Sequence, residues 1–390
     1  KKLDRADEIG RKALTLSRED IANGMSDCEE RHINCVFRLS DLLIRRGHED
    51  EAEGLLSEIY ADRKAYVGTL LLTECMGHYG SILCEGGMYE RAAYVLDEML
   101  TRVSTGISKG IYPDGIVTDD AYAVCRGLGN AACAFTYADT GEGFAPDRFT
   151  LPVEMLEKIA EHGIDVGKDN IRKAAYYAAS QQIFLTCYEP VPGADVSRTV
   201  EFAGKCVNAC DQNEKDDLYY PAAMRLTALA LARDCRFGDA AEMCRLTLDQ
   251  CAEYRGETTK ADFGSIQSIV GDMNLLLGIL HYRASKISDC IRYFEAAIAS
   301  YEADAKGSPL CDVGYAEAET AILYMTDSEK CAFACKYIGL AKFSEKEKYS
   351  LDECVQVMRR GVELLESTDK TEPYFLLAAS GEFHILPPMC

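Results

Sequence analysis

Tyr79-Gly80-Ser81-Ile82-Leu83-Cys84-Glu85-Gly86-Gly87-Met88-Tyr89-Glu90-Arg91-Ala92-Ala93-Tyr94-Val95-Leu96 is the stretch that decides the fold. Tyr79, Ile82 and Leu83, and then Ala92, Leu96 and Met99, recur at steps of three and four, the spacing of one helix face. Gly86-Gly87 breaks the pattern between them, as a residue of positive φ does at a helix end. The stretch therefore reads as two helices joined by a tight turn. One such pair cannot bury its own apolar face, so it has to stack on further pairs.

Further pairs lie on both sides. Val36, Leu39, Leu42 and Leu43 are followed by Arg46-Gly47-His48 and then Ala52, Leu55, Leu56 and Ile59. The shape returns with Met224, Leu231, Ala240, Cys244 and Leu248, and again with Leu277, Gly278, Ile291, Phe294 and Ile298. The middle is less regular. A helix from about Asp119 to Ala138 precedes a Gly- and Pro-containing loop at 140–146, and its partner, about Pro152 to His162, comes late. A second pair, Ile171 to Tyr188 and Val196 to Cys210, is split by Glu189-Pro190-Val191-Pro192-Gly193. Thr105 to Thr118 reads as non-helical. Ser17 and Thr118, each followed by charged residues, read as helix starts. Strand-like alternation is scarce.

On these residues the sequence resembles the tetratricopeptide repeat. Tyr79-Gly80, Gly87-Met88-Tyr89, Ala92 and Leu96 match its pattern in one copy, and Leu277-Gly278, Phe294 and Ala297 in another. Gly47 to Gly87 spans 40 residues, longer than the family's repeat of about 34. The long, irregular period is closer to the sensor and scaffold modules of bacterial regulators. The resemblance implies an all-α fold, a right-handed α-solenoid of antiparallel helix pairs. One array is expected over 1–390, irregular over 105–195, with a capping segment at 366–390.

Composition narrows the function. The 390 residues are 48% hydrophobic and 27% charged, which suits a folded, extended array. Against 42 Lys and Arg stand 64 Asp and Glu, a net charge of −22. Such a chain repels nucleic acid and anionic lipid. The 18 cysteines sit among apolar helical residues, as small buried hydrophobes in a reducing, cytoplasmic setting do. No run of about 18 apolar residues marks a membrane span. The chain opens at Lys1 without a methionine, which leaves an upstream effector segment as an expectation.

Chemical signatures are lacking. There is no phosphate-cradling Gly-x4-Gly-Lys-Ser/Thr loop, no His-Glu-x-x-His and no Gly-x-Ser-x-Gly. Gly127-Leu128-Gly129 lacks the third glycine and preceding strand of a dinucleotide site, and reads as close helix packing. Cys206 with Cys210, and Cys331 with Cys335, share helix faces but have no histidine beside them, so they read as helix–helix seams rather than zinc ligands. The six histidines are scattered; His48 and His162 lie near helix ends. Neither a cofactor nor a catalytic residue is expected.

In the tetratricopeptide family the first helix of each pair lines the inner wall, and the stripe not used for packing holds the ligand. Carried onto these residues, that stripe holds Asn34, Phe37, Asp41 and Arg45 in one copy, and Glu74, Ser81 and Glu85 in the next. Later copies supply Arg225 and Arg233, then Asp272, Tyr282 and Arg283. Arginine grips a carboxylate with two parallel hydrogen bonds, and the rings of Phe37 and Tyr282 suit apolar groups. The alternative is that these arginines pair with Asp41, Asp234 or Asp272. The expected partner is a protein or peptide; a small-molecule sensor and an enzyme assembled from distant repeats are the two other readings.

Overall fold

The computed structural model describes residues 2–25, 28–66, 71–111, 121–138, 147–187, 196–210, 218–254, 265–307 and 327–366. The described residues form fifteen α-helices and one short 3-10 turn, with no strand among them. Their contacts divide the chain into two compact units, 1–178 and 179–390.

The first unit holds α1 (Lys2–Ala22), α2 (Cys28–Arg45), α3 (Glu49–Ala61), α4 (Leu71–Glu85), α5 (Tyr89–Ser108), α6 (Ala121–Tyr137) and α7 (Asp147–Glu161). The helix α8 (Lys168–Cys187) begins in it and runs past residue 178. Consecutive helices pack as antiparallel pairs, α2 on α3, α4 on α5 and α6 on α7; α2, α4 and α6 also touch one another in sequence. The second unit repeats this with α9 (Val196–Ala209), α10 (Tyr219–Arg233), α11 (Phe237–Glu253), α12 (Ile266–Arg283), α13 (Ile287–Gly307), α14 (Asp327–Ser344) and α15 (Leu351–Glu366). There α10 pairs with α11, α12 with α13 and α14 with α15, while α10, α12 and α14 form the continuous layer. Each unit is thus a stack of helix pairs, the all-α solenoid arrangement.

One turn is reused four times. At Gly47, Gly87, Cys235 and Ser285 φ is +73°, +73°, +60° and +56°. In each copy that residue's N–H bonds the carbonyl three before it, and the next N–H reaches back five, as His48 to Leu43 and Lys286 to His281. This double closure satisfies the end carbonyls of the first helix. Five residues on stands a small, fully buried residue, Ala52, Ala92, Ala240 or Cys290, which lets the second helix press close.

Small residues also set the separation of the helices. A Cβ on Gly80 would stand 2.4 Å from Leu96, and one on Gly278 2.7 Å from the Phe294 ring. Gly77 of α4 and Gly127 of α6 meet backbone to backbone: a Cβ on Gly127 would lie 2.8 Å from the Gly77 Cα. A Cβ on Gly129 would meet the Asn170 Cα at 2.9 Å, so Gly127-Leu128-Gly129 is a packing element, as expected. Cys206, Cys210, Cys331 and Cys335 are buried.

Several expectations need correction. Ser17 does not start a helix. It lies inside α1, where its hydroxyl donates to the Leu14 carbonyl and pairs with His32 Nδ1 at 3.0 Å. The stretch from Thr105 is helical as far as Ser108, with Gly106 buried; the chain leaves the helix only at Gly110. The helix expected from Pro152 starts earlier, at Asp147, and carries Pro152 within it. The loops expected at 140–146 and 189–193, Thr118, and the capping segment beyond 366 lie outside the described residues.

Candidate functional site: the α2–α4–α6 face

The spacing that places the first-unit turns also aligns one face of α2, α4 and α6. Asp41, Ser81 and Tyr122 are separated by 40 and 41 residues, as are Arg45, Glu85 and Arg126. Equal steps through equal helix pairs bring such residues side by side.

At the centre lies His78, fully buried on α4. Its ring stacks on Phe37 of α2 with centroids 5.3 Å apart and tilts toward Tyr122 of α6 at 6.5 Å. Its Nε2 stands 3.8 Å from the Asp41 carboxylate. Burial pushes the imidazole down to about 4. Asp41 opposes that shift, while Arg126 and Arg45 reinforce it. The ring is therefore neutral at pH 7. Glu74 is buried one turn earlier on the same face.

Around this core the polar groups pair across helices. Arg45 Nε meets Asp41 at 2.9 Å. Arg126 grips Glu85 with two hydrogen bonds, joining α6 to α4. The Asn130 side-chain amide donates to the Arg126 carbonyl at 3.0 Å, while its oxygen accepts from Lys173 of α8. The Tyr122 ring, 54% exposed, stands in the middle of this surface. A mixed-charge strip with an open aromatic ring thus runs over the alternate helices α2, α4, α6 and α8.

The residues singled out from sequence divide sharply. Asn34 and Arg45 are exposed on α2. Phe37 and Glu74 are interior, Phe37 as the floor beneath His78. In the second unit Arg225 and Asp272 have no exposed surface. Arg225 Nη1 donates to Asp272 at 3.0 Å, Lys330 Nζ at 2.8 Å and Tyr301 Oη at 2.7 Å, so one carboxylate ties α10, α12, α13 and α14 together. The Lys330 ammonium also lies 5.1 Å from the Tyr301 ring centroid. These groups hold helices, and the pairing of Arg225 with Asp272 is the alternative foreseen for it. Arg233, Tyr282 and Arg283 lie two or more turns further along α10 and α12. Tyr282 packs edge-on against Tyr337 at 5.2 Å, and the Arg283 guanidinium covers the Phe237 ring at 5.2 Å.

Sequence reasoning missed His78, Tyr122, Arg126, Asn130 and Lys173. The 40-residue step from Asp41 and Arg45 through Ser81 and Glu85 was the signal that leads to Tyr122 and Arg126.

Among the described residues, no cluster of His, Cys, Asp or Glu is arranged to hold a metal ion, and no helix is long and apolar enough to cross a membrane. Fifteen of the described cysteines are free thiols, and all of these but Cys35 and Cys235 are buried. Burial pushes the thiols of Cys125, Cys244, Cys251, Cys290 and Cys331 up to about 12. Thiols held protonated in this way are poor nucleophiles and poor metal ligands.

The stacked pairs, their shared turn and their glycine contacts define a tetratricopeptide-like helical repeat protein. No family model and no curated protein matches the sequence. Solved structures it is similar to include a tetratricopeptide repeat protein from Parabacteroides merdae, with 11% identity, 85% of this chain and 98% of that one covered, and a TM-score of 0.40. The P58(IPK) TPR domain matches at 11% identity over 96% and 98% of the two chains, with a TM-score of 0.21. A circular tandem repeat protein matches at 14% identity over 97% and 87%, with a TM-score of 0.25. Scores this low add nothing to the argument, and the fold rests on the helix pairs themselves.

Proposed function

We propose that this chain is a scaffold that binds an extended segment of a protein or peptide along the α2–α4–α6 face of its first unit and does no chemistry itself. The open Tyr122 ring carries the reading, because it is set among groups that are already paired with one another. A ring at the surface offers apolar contact at little entropic cost. The flanking pairs, Asp41 with Arg45 and Glu85 with Arg126, can each exchange one partner for a charge on the ligand. The first helices of successive pairs present these groups at regular intervals, which suits a ligand read residue by residue. The protonated, buried thiols favour a reducing compartment such as the cytoplasm.

A random peptide library panned on the full chain tests this. An enriched peptide family should bind the parent and lose at least about ten-fold in affinity, or about 1.4 kcal/mol, with Tyr122→Ala or Arg126→Glu. Tyr94→Ala, which removes a ring 55% exposed on α5, should leave binding unchanged. Enriched peptides indifferent to residues 122 and 126, or no enrichment at all, would refute the assignment.

A further inference from the structure

Cations of the first unit end on carboxylates of neighbouring helices: Arg11 on Glu51, Arg63 on Glu98, Arg126 on Glu85 and Arg148 on Asp97. At the α14–α15 turn of the second unit they lie over rings instead. The ammoniums of Lys342 and Lys348 stand 5.3 and 5.1 Å from the Tyr349 ring centroid, and that of Lys346 stands 4.8 Å from the Phe343 centroid. Lys348 Nζ also donates to Ser288 Oγ at 3.2 Å. That bond brings this turn against the start of α13, next to the exposed Lys286 of the α12–α13 turn.

The two arrangements differ in the charge they leave over. An ion pair cancels its charge. A ring is neutral and covers one side of the cation, so the charge and the remaining N–H donors stay presented. Among the described residues, Lys286, Lys342 and Lys346 form no ion pair. The neighbouring acids are already engaged. Asp289 pairs with Arg292 at 3.1 Å, Glu345 with Lys348 at 3.5 Å, and Glu353 accepts from the Ser350 N–H and hydroxyl at 2.8 Å. Glu347 alone in this turn is an exposed carboxylate with no such partner among the described residues. The Phe343 ring is 46% exposed and adds apolar surface at the centre of the group.

We propose that Lys286, Lys342, Phe343 and Lys346 form a second docking surface, which takes an acidic protein segment carrying an apolar residue among its carboxylates. The carboxylates accept from the ammoniums and the apolar residue lies on Phe343. A membrane or a nucleic acid fits this edge poorly. Either one extends past the lysines and meets the repulsion of a chain at −22. A short segment meets the local charge alone, since fields fade over about 8 Å at physiological salt. This surface is independent of the α2–α4–α6 face.

The test titrates the full chain into labelled synthetic peptides in which Asp or Glu flank Phe, Tyr, Leu or Ile, beside counterparts with Asn and Gln. Acidic peptides should bind, more weakly as salt rises, and their amide counterparts should not. Lys342→Glu with Lys346→Glu should weaken binding at least about ten-fold, and Lys346→Glu alone and Phe343→Ser should each weaken it in part. Lys109→Glu with Lys158→Glu changes the net charge equally at exposed first-unit positions, and should have little effect. Tyr122→Ala should have none. Helical circular dichroism checks that each variant folds. No acidic peptide bound, or equal losses in the two double variants, would overturn the proposal. So would a Lys346-dependent binding of phosphatidylserine vesicles or single-stranded DNA without binding of the peptides, or a Lys346-dependent self-association that the peptides do not compete.

Discussion

The two units place the same kinds of residue on equivalent helices, the first of each pair, and put them to opposite uses. In the first, Asp41, Arg45, Glu85 and Arg126 pair at a surface that holds an open tyrosine. In the second, Arg225, Asp272 and Lys330 close on one another out of water, with Tyr301 completing the set. Burial separates the two cases more than residue type does. An arginine that shares a surface pair is available to a ligand. One that shares a buried carboxylate with a lysine is committed, because releasing it would leave a charge stranded in the interior.

The widest gap between the two units should appear on removing one carboxylate from each. Asp272→Ala leaves Arg225 and Lys330 buried without their shared partner, and about 3 to 5 kcal/mol of stability should be lost. The loss should show as faster hydrogen exchange across α10, α12 and α14. Asp41→Ala in the first unit should lower the protection of α2 and α4 by no more than about 1 kcal/mol, as for an exposed pair. Equal losses at the two sites would erase the contrast. Replacing Arg225, Asp272 and Lys330 together by apolar residues should recover most of the Asp272→Ala loss.

Acid distinguishes the units next. The folded-state pKa of His78 is depressed to about 4 from 6.5, so its contribution is complete above about pH 6.5. As pH falls from there toward 4 the unfolded chain takes up a proton that the folded chain refuses, and stability drops. A shift of this size corresponds to about 3 kcal/mol. His78→Gln should flatten the pH dependence of α2 and α4 exchange over that window and leave α10–α14 unaffected. A profile identical to the parent's would show that His78 does not carry it.

The smallest effect concerns the turns. The first unit uses glycine at Gly47 and Gly87 where the second uses Cys235 and Ser285 at positive φ. Cys235→Gly and Ser285→Gly should each raise the melting temperature of the second unit, by a stabilisation of up to about 1 kcal/mol. A decrease would mean that the side chains at these turns contribute more than the backbone strain costs.

The fold was legible because its signals are local. The three-and-four spacing, the Gly87 turn and the small residues at 80, 92 and 278 each act within one pair. The site was legible in part. The stripe logic put Asp41, Arg45 and Glu85 on the helices that carry the candidate site, and it put Arg225 and Asp272 on a ligand-lining stripe although both are interior. Helical spacing says which residues share a face; it does not say whether the next helix covers that face. Lys330 lies 58 residues beyond Asp272 and Tyr301 29 residues beyond it, and no local pattern announces contacts of that reach. Tyr122 and Lys173 were overlooked for another reason. The Gly- and Pro-containing loop at 140–146 made the middle pair look broken, although its helices α6 and α7 pack as the others do.

The packing of α12 against α13 also has a mechanical side. Gly271 receives the Tyr301 ring and Gly278 the Phe294 ring, seven residues apart on each helix of the pair and running in opposite directions. Two notches at matching separation act as a ratchet with both teeth engaged. A pull along the helix axes cannot shift one helix past the other by less than the distance between notches without driving a ring into backbone. The pair should therefore bear shear stiffly up to a threshold and then part abruptly, whereas a seam of interchangeable leucines would creep.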